Sequence, residues 1–365
     1  MKGNSVRNGH IVIMSENMKE KIFDALIEES KQELFHYPVY TKKQDLKYLI
    51  KRVLKPKDTP KRDGFFWPHA MLAQALEGAG ELETLIKYYD AWIENGLSIY
   101  NVDNIMNGYS LLYVYEKTGK EKYKQAADKL YNWICEYAKQ MGNPMPYRKH
   151  HPYHVYVDGL GMVVPFLCRY GAMFQKEEAI TLGVEQIKDF LCNGMDKVTG
   201  LPYHGYDTKS KEKQGIIGWG RAVGWLMLAM ADSIEYIAEE ECRKELIREF
   251  TMLTKATLKY LREDGYFSWQ LSAVEGPKDT STTAMIGYAF KKSISINTKL
   301  QIENNIEEIK VKEVLAKIES AIRNSYKEGK IYDCSGECDG FSQYPQRYGS
   351  YPWSLGPGLR FLLVK

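Results

Sequence analysis

The stretch VYVDGLGMVVPFL, residues 155–167, decides the fold. It opens on aromatics and an acid, then runs into a segment with helical spacing that is apolar over much of its circumference. A helix of that kind has to be buried on most sides. Five other stretches follow the same plan: DGFFWPHAMLAQAL (63–76), NVDNIMNGYSLLYVY (101–115), GWGRAVGWLMLAM (218–230), DTSTTAMIGYAF (279–290) and YGSYPWSLGPGLRFLL (348–363). They recur every ~40–70 residues, about the length of a helical hairpin with its loops, and self-similarity at such a period signals a repeat architecture. In every unit the polar and aromatic residues cluster at one end.

Between these segments lie amphipathic ones. KEKYKQAADKLYNWICEYAKQM (120–141), EEAITLGVEQIKDFLCNGM (177–195), CRKELIREFTMLTKATLKYLRED (242–264) and NNIEEIKVKEVLAKIESAIRNSY (304–326) carry apolar residues at helical spacing on one face. Each unit thus reads as a buried inner helix and an amphipathic outer one. Six inner helices walled in by six outer ones form a closed double ring, whose hairpin ends surround a single pocket. An open solenoid needs polar capping units, which the chain does not show. Gly119 stands where a helix C-cap belongs. Residues 1–16 read as a disordered N-terminus and 17–365 as one domain. A helix is expected from Asn17 to about Glu33, and KKQDLKYLIKRVLK (42–55) reads as a helix with a solvated basic face. The fold class is all-α.

Among the 365 residues are 27 Tyr and 7 Trp against 12 Phe. Tyr and Trp join a flat apolar body to a polar tip, so this bias suits a thick aromatic core or a pocket lined for sugar rings. The net charge of +3 and the lack of a long basic tract argue against nucleic acid as a partner. HIVIM near the start is too short for a signal segment, and no run of ~20 apolar residues suggests a membrane span. The six scattered Cys fit reduced thiols and a cytoplasmic location. Cys334 and Cys338 are four apart, but without a second pair or a nearby His they are a weak zinc signal. Nothing in composition or spacing sets an oligomeric state.

The chemistry-bearing residues sit at the unit openings. Asp158, between two apolar runs, is either a helix N-cap or a functional acid. Asp103 has the same placement one unit earlier, and two such acids facing one pocket make an acid/base pair. Asp63 and Asp279 read as caps. Arg221, in the first turn of an apolar helix, is at the wrong end for the helix dipole and wants an anion. That anion is either a structural Asp or a ligand, and Trp219 and Trp225 flank the arginine. His204 lies in the turn-rich loop GLPYHGYD (200–207), and His150, His151 and His154 precede Asp158. No acid or Cys spacing makes a metal site of the histidines, and no dinucleotide, P-loop or nucleophile-elbow motif occurs.

In their order, VYVDGLGMVVPFL, TGLPYHGYD, GWGRAVGW and DTSTTAMIGYAF, preceded by NVDNIMNGYSLLYVYEKTGKEKY, resemble glycoside hydrolase family 105. These are the unsaturated rhamnogalacturonyl hydrolases, related to the unsaturated glucuronyl hydrolases of family 88. The resemblance spans roughly residues 63–290. It implies an (α/α)6 barrel, in agreement with the repeat pattern. It also implies removal of a non-reducing-end 4,5-unsaturated uronic acid from lyase-generated oligosaccharides, with no metal or cofactor. Asp158 is then similar to the proton donor and Asp103 to its helper acid. Arg221 resembles the residue that binds the uronate carboxylate, His204 the histidine near that sugar, and Trp219 and Trp225 stacking walls. Members of the family carry Gln and Trp before the donor, where this chain has His154 and Tyr156. Arg148, Lys149 and His150 only approximate the family's upstream basic pair, and the C-terminal segment departs from the family's endings, although Trp353 there is placed to line the pocket. Two other functions remain open: an inverting glycosidase on the same barrel with Asp103 and Asp158 as acid and base, and a non-catalytic saccharide-binding repeat protein.

Overall fold

In the computed structural model, residues 16–38, 40–54, 62, 64–299, 308–341 and 343–364 are described. The expected disordered N-terminus (but for Glu16) and Asp63 lie outside them. The helices are α1 (Glu16–His36), α2 (Lys42–Leu54), α3 (Trp67–Gly78), α4 (Leu82–Glu94), α5 (Val102–Ile105), α6 (Gly108–Thr118) and α7 (Glu121–Met141), then α8 (Val157–Phe174), α9 (Glu177–Asn193), α10 (Gly220–Ala231), α11 (Glu240–Leu258), α12 (Thr280–Lys299), α13 (Glu308–Asn324) and α14 (Pro352–Leu363).

All six quoted stretches become inner helices. Going round the ring, α3 packs on α6, α6 on α8, α8 on α10, α10 on α12, α12 on α14 and α14 back on α3. Outside them stand α4, α7, α9, α11 and α13. The sixth outer place belongs to α1, which packs against α3 and α14 and so closes the circle from the N-terminal end of the chain. The architecture is an (α/α)6 barrel. α2 buries no residue and stays on the surface, apolar face included. Among the described residues α8 is the one helix long and apolar enough to cross a membrane by composition, and 78% of that stretch is buried in the protein.

The inner helices are apolar all round because they touch neighbours all round: every residue of α10 is buried. Small residues set the spacing between them. A Cβ on Gly161 would stand 2.5 Å from the Trp225 ring, and one on Gly356 would stand 2.6 Å from the Met71 carbonyl oxygen. Gly119 ends α6 in the left-handed conformation, with φ +63.

Among the described residues three small β sheets decorate the helices. β1 (His154–Tyr156), β2 (Gly205–Asp207) and β3 (Lys213–Gln214) form one antiparallel sheet in that order. β4 (Tyr326–Lys327) pairs with β5 (Lys330–Ile331), and β6 (Cys334–Ser335) with β7 (Tyr348–Gly349). β1 runs directly into α8, and Tyr156 lies opposite Gly205. The Val157 N–H also donates to the His204 carbonyl at 3.0 Å. This pairing lays His204 beside the first turn of α8.

Toward the other end of the ring a buried ionic group joins four inner helices. Asp232, just after α10, takes Arg360 of α14 at 2.9 Å and Lys292 of α12 at 2.8 Å. Arg360 also donates to Gln74 of α3 at 2.9 Å. Burial pushes the Asp232 carboxyl up, but Arg360 and Lys292 outweigh it and hold it down at about 2. A depressed carboxyl stabilises the fold above its unfolded value, and that contribution fades as pH falls through the folded one. Asp232→Asn takes the charge partner from buried Arg360 and one of two from Lys292, which keeps Glu235 at 2.9 Å, and is expected to cost about 3–5 kcal/mol. Chemical denaturation across pH checks this: the wild type loses the advantage between about pH 4 and pH 2, whereas the variant lacks it throughout.

Candidate active site

The first turns of the inner helices meet at one end of the ring, where a cavity of about 380 Å³ opens. That volume falls in the range of small-molecule sites, about 300–1,000 Å³. Its walls are Trp67 from α3, Asp158 from α8, and Trp219, Arg221 and Trp225 at the start of α10. Tyr156 from β1, Tyr147 and Arg148 from the preceding loop, His150, His151 and the segment 337–340 complete the lining.

Asp158 is not the N-cap of α8; Tyr156 holds that position. The acid sits inside the first turn, 8% exposed, with Oδ2 3.1 Å from Nε2 of the fully buried His204. The two atoms approach without an aligned hydrogen bond, and among the described residues neither has another hydrogen-bond partner. The far side of the imidazole explains this. The Tyr344 hydroxyl lies 2.7 Å from the Phe341 carbonyl, which can only accept, so its one proton goes there. It therefore accepts from His204 Nδ1 at 2.9 Å, as it does from the Ile216 N–H at 3.3 Å. In neutral His204 the proton then belongs on Nδ1, and a bare Nε2 faces the carboxyl.

Asp103 lies behind the cavity wall and acts on it through Arg148. The guanidinium donates to both carboxylate oxygens, at 3.1 and 3.0 Å, while stacking over Tyr147. The basic residue that only approximated the family pattern is thus a built part of the wall. Arg221 reaches the cavity but is already engaged. It donates to the Ser335 carbonyl at 3.0 Å, the Ser335 hydroxyl at 2.6 Å and the Gly336 carbonyl at 2.6 Å, with Asp279 3.9 Å away. Asp279 is the expected cap: its carboxylate accepts from the Ser281 N–H at 3.0 Å and the Thr282 hydroxyl at 3.0 Å. It also takes the Ser335 hydroxyl at 2.7 Å and so ties the C-terminal segment to α12.

Trp219 lies under Arg221 and beside His204, and Trp225 packs edge-on against Trp67. Tyr156 stacks on Tyr147, with ring centres 5.0 Å apart. Two expectations need correction. His154 does not line the cavity; it shares a face of β1 with Tyr156 but lies two residues further from the start of α8, where it stacks on His151 and packs against Phe341, with Nε2 3.6 Å from Asp207. Trp353 is fully buried behind Trp67, its indole donating to the Ser335 carbonyl at 2.9 Å.

The cavity joins the buried Asp158, with a histidine behind it, to Glu337, Asp339, two arginines and indole faces, a lining that suits a polar ring such as a sugar. Residues 46–348 match the family described as Glycosyl Hydrolase Family 88. The chain belongs to that family. As a family 88 member it is a glycoside hydrolase of the unsaturated glycuronyl hydrolase group. It is 24% identical over 308 residues to the unsaturated rhamnogalacturonyl hydrolase YesR of Bacillus subtilis strain 168, covering 81% of this chain and 86% of YesR. Its fold matches a possible member of the GH105 family from Klebsiella pneumoniae, with a TM-score of 0.77 at 18% identity over 100% of this chain and 98% of the other. It also matches the unsaturated glucuronyl hydrolase of Bacillus sp. GL1, with a TM-score of 0.69 at 13% identity over 94% and 96%.

Sequence reasoning passed over Trp67, Tyr147, Tyr344 and the lining segment 337–340 of this family 88 hydrolase. Trp67 was legible in hindsight, as the indole opening a repeat in the place Trp219 takes in another. The segment carries no periodicity to announce it. Because Asp279 and Arg221 hold its start, Asp279→Asn is expected to loosen residues 334–349 and to cost about 1–2 kcal/mol from the lost cap. Faster amide exchange confined to that segment, with α10 unchanged, is the expected result.

Proposed function

We propose that this hydrolase removes a 4,5-unsaturated uronic acid from the non-reducing end of lyase-generated oligosaccharides, with Asp158 as the proton donor. The observation that carries this is the buried contact of Asp158 with the bare Nε2 of His204. An ionised carboxylate there would set lone pair against lone pair, so the contact favours a proton held at the pair. Asp158 gives that proton to the fourth carbon of the enol ether. Positive charge develops on the fifth carbon and ring oxygen, water adds at the fifth carbon, and its proton returns to Asp158. The hemiketal then opens and releases the neighbouring sugar as an alcohol. The chemistry so written uses no cofactor.

The uronate carboxylate is assigned to the cationic wall of Arg221 and Arg148, and the flat unsaturated ring to the indole faces. Asp103 acts by aligning Arg148. The inverting alternative needs Asp103 as a free base, yet both its oxygens already take the Arg148 guanidinium. The likeness to YesR makes lyase-cut rhamnogalacturonan the first substrate to assay.

The test follows the ultraviolet absorbance of the conjugated double bond. Wild type is expected to bleach it, and Asp158→Asn to slow the reaction about 10²–10⁴-fold, the usual worth of a general acid. Sugar release with the absorbance intact, or equal turnover of saturated glycosides, would refute hydration. Arg221→Ala is expected to raise KM for the uronate substrate far more than for its carboxamide analogue, and equal effects would remove Arg221 from carboxylate binding.

A further inference from the structure

We propose that Asp158, His204 and Cys338 form a binding seat for a borderline-soft divalent cation of the zinc type, and that filling it shuts off the hydrolase. The three residues come from separate parts of the chain: the first turn of α8, the residue before β2 and the segment after β6. One carboxylate oxygen, one ring nitrogen and the Cys338 Sγ all lie within 4.8 Å of one another.

His204 is fully buried, and the Asp158 side chain is 11% exposed. Among the described residues their facing atoms, Oδ2 and Nε2, have no hydrogen-bond partner. A buried polar atom without a partner calls for an explanation, and two that face each other beside a thiol are open to a shared cation. A proton meets the need in the resting enzyme, and a metal ion meets it equally well.

The donor set selects the ion. A carboxylate, a neutral imidazole and a thiolate suit zinc and its soft relatives, whereas magnesium and calcium demand oxygen throughout. Three protein ligands leave the fourth tetrahedral position open to the cavity. The Tyr344 hydroxyl on Nδ1 fixes the ring with Nε2 free, as a good metal-binding histidine requires. Burial, then Asp158, pushes the Cys338 thiol up to about 12, and a bound cation expels that proton outright. Cys334 takes no part; its thiol donates to the Ser335 carbonyl at 3.5 Å. With a cation on Asp158 there is no acid to protonate the alkene. This inhibitory consequence rests on the hydrolase reading, but binding itself does not.

The full-length protein is titrated with Co²⁺ and its spectrum recorded. We expect a sulfur-to-cobalt charge-transfer band in the near ultraviolet, saturating at one ion per chain and abolished by Zn²⁺. Cys338→Ser should lose the band and bind Zn²⁺ at least about tenfold more weakly. Asp158→Asn, nearly isosteric, should keep the band but require about tenfold more cobalt. Cys192→Ser, at an exposed cysteine, serves as the unchanged control. Zn²⁺ should stop wild-type turnover, a chelator should restore it, and Cys338→Ser should resist the same zinc concentration relative to its own zinc-free rate. No sulfur band, or one that survives Cys338→Ser, overturns the site. A zinc-filled site with full turnover keeps the seat but overturns Asp158 as the proton donor.

Discussion

Six helices that are apolar on nearly every side cannot face water, and this requirement shapes the molecule. Each is returned by an amphipathic helix on the outside, so all six inner helices run the same way. Their N-termini therefore gather at one end of the ring. A helix N-terminus carries a partial positive charge and unpaired N–H groups. Gathered together around the cavity, they make that end of the barrel favourable for an anionic group.

The opposite end carries the complementary burden. Partial negative charge collects where the inner helices finish, and buried cations stand toward it: Arg360 and Lys292 around Asp232, and Arg169 paired with Glu77 at 2.7 Å. These groups cross-link helices that are otherwise packed largely through apolar side chains. At the cavity end the cross-link is the cluster of Asp279, Ser335 and Arg221. It brings a segment from beyond the fifth repeat across the ring to lie against the first turn of α10, and so makes the C-terminal part of the chain a wall of the site.

The ring was legible because burial on all sides leaves an unmistakable mark: runs such as GWGRAVGWLMLAM admit no solvated face. The site was legible only where it grew from those same runs, as with Asp158, Trp219, Arg221 and Trp225. His154 and His204 looked alike in sequence, each in a turn-rich stretch. What separates them is the pairing of β1 with β2, strands of three residues each, too short to show period-two alternation. Arg221 looked in need of an anion, yet its nearest partners lie 114 and 115 residues away, at Ser335 and Gly336. Nothing local announces them. Cys338 is further from legibility still, since its meaning comes from the two residues it meets.

A bare imidazole nitrogen set against a carboxyl oxygen is an expensive arrangement in a protein interior unless a proton or a cation lies between them, since each buried group left unsatisfied costs about 1–3 kcal/mol. The Tyr344 hydroxyl enforces it by spending its single proton on Phe341 and so fixing the proton of His204 on the far nitrogen. Were that hydroxyl to donate to His204 instead, Nε2 would carry the proton and hold Asp158 as a carboxylate, an acceptor with nothing to give. In the proposed reaction that tautomer is what leaves Asp158 free to act as the acid. It is set from outside the cavity, by Tyr344 of the same C-terminal segment that supplies Cys338. A segment with no periodicity in the sequence is thereby tied to the histidine behind the cavity wall.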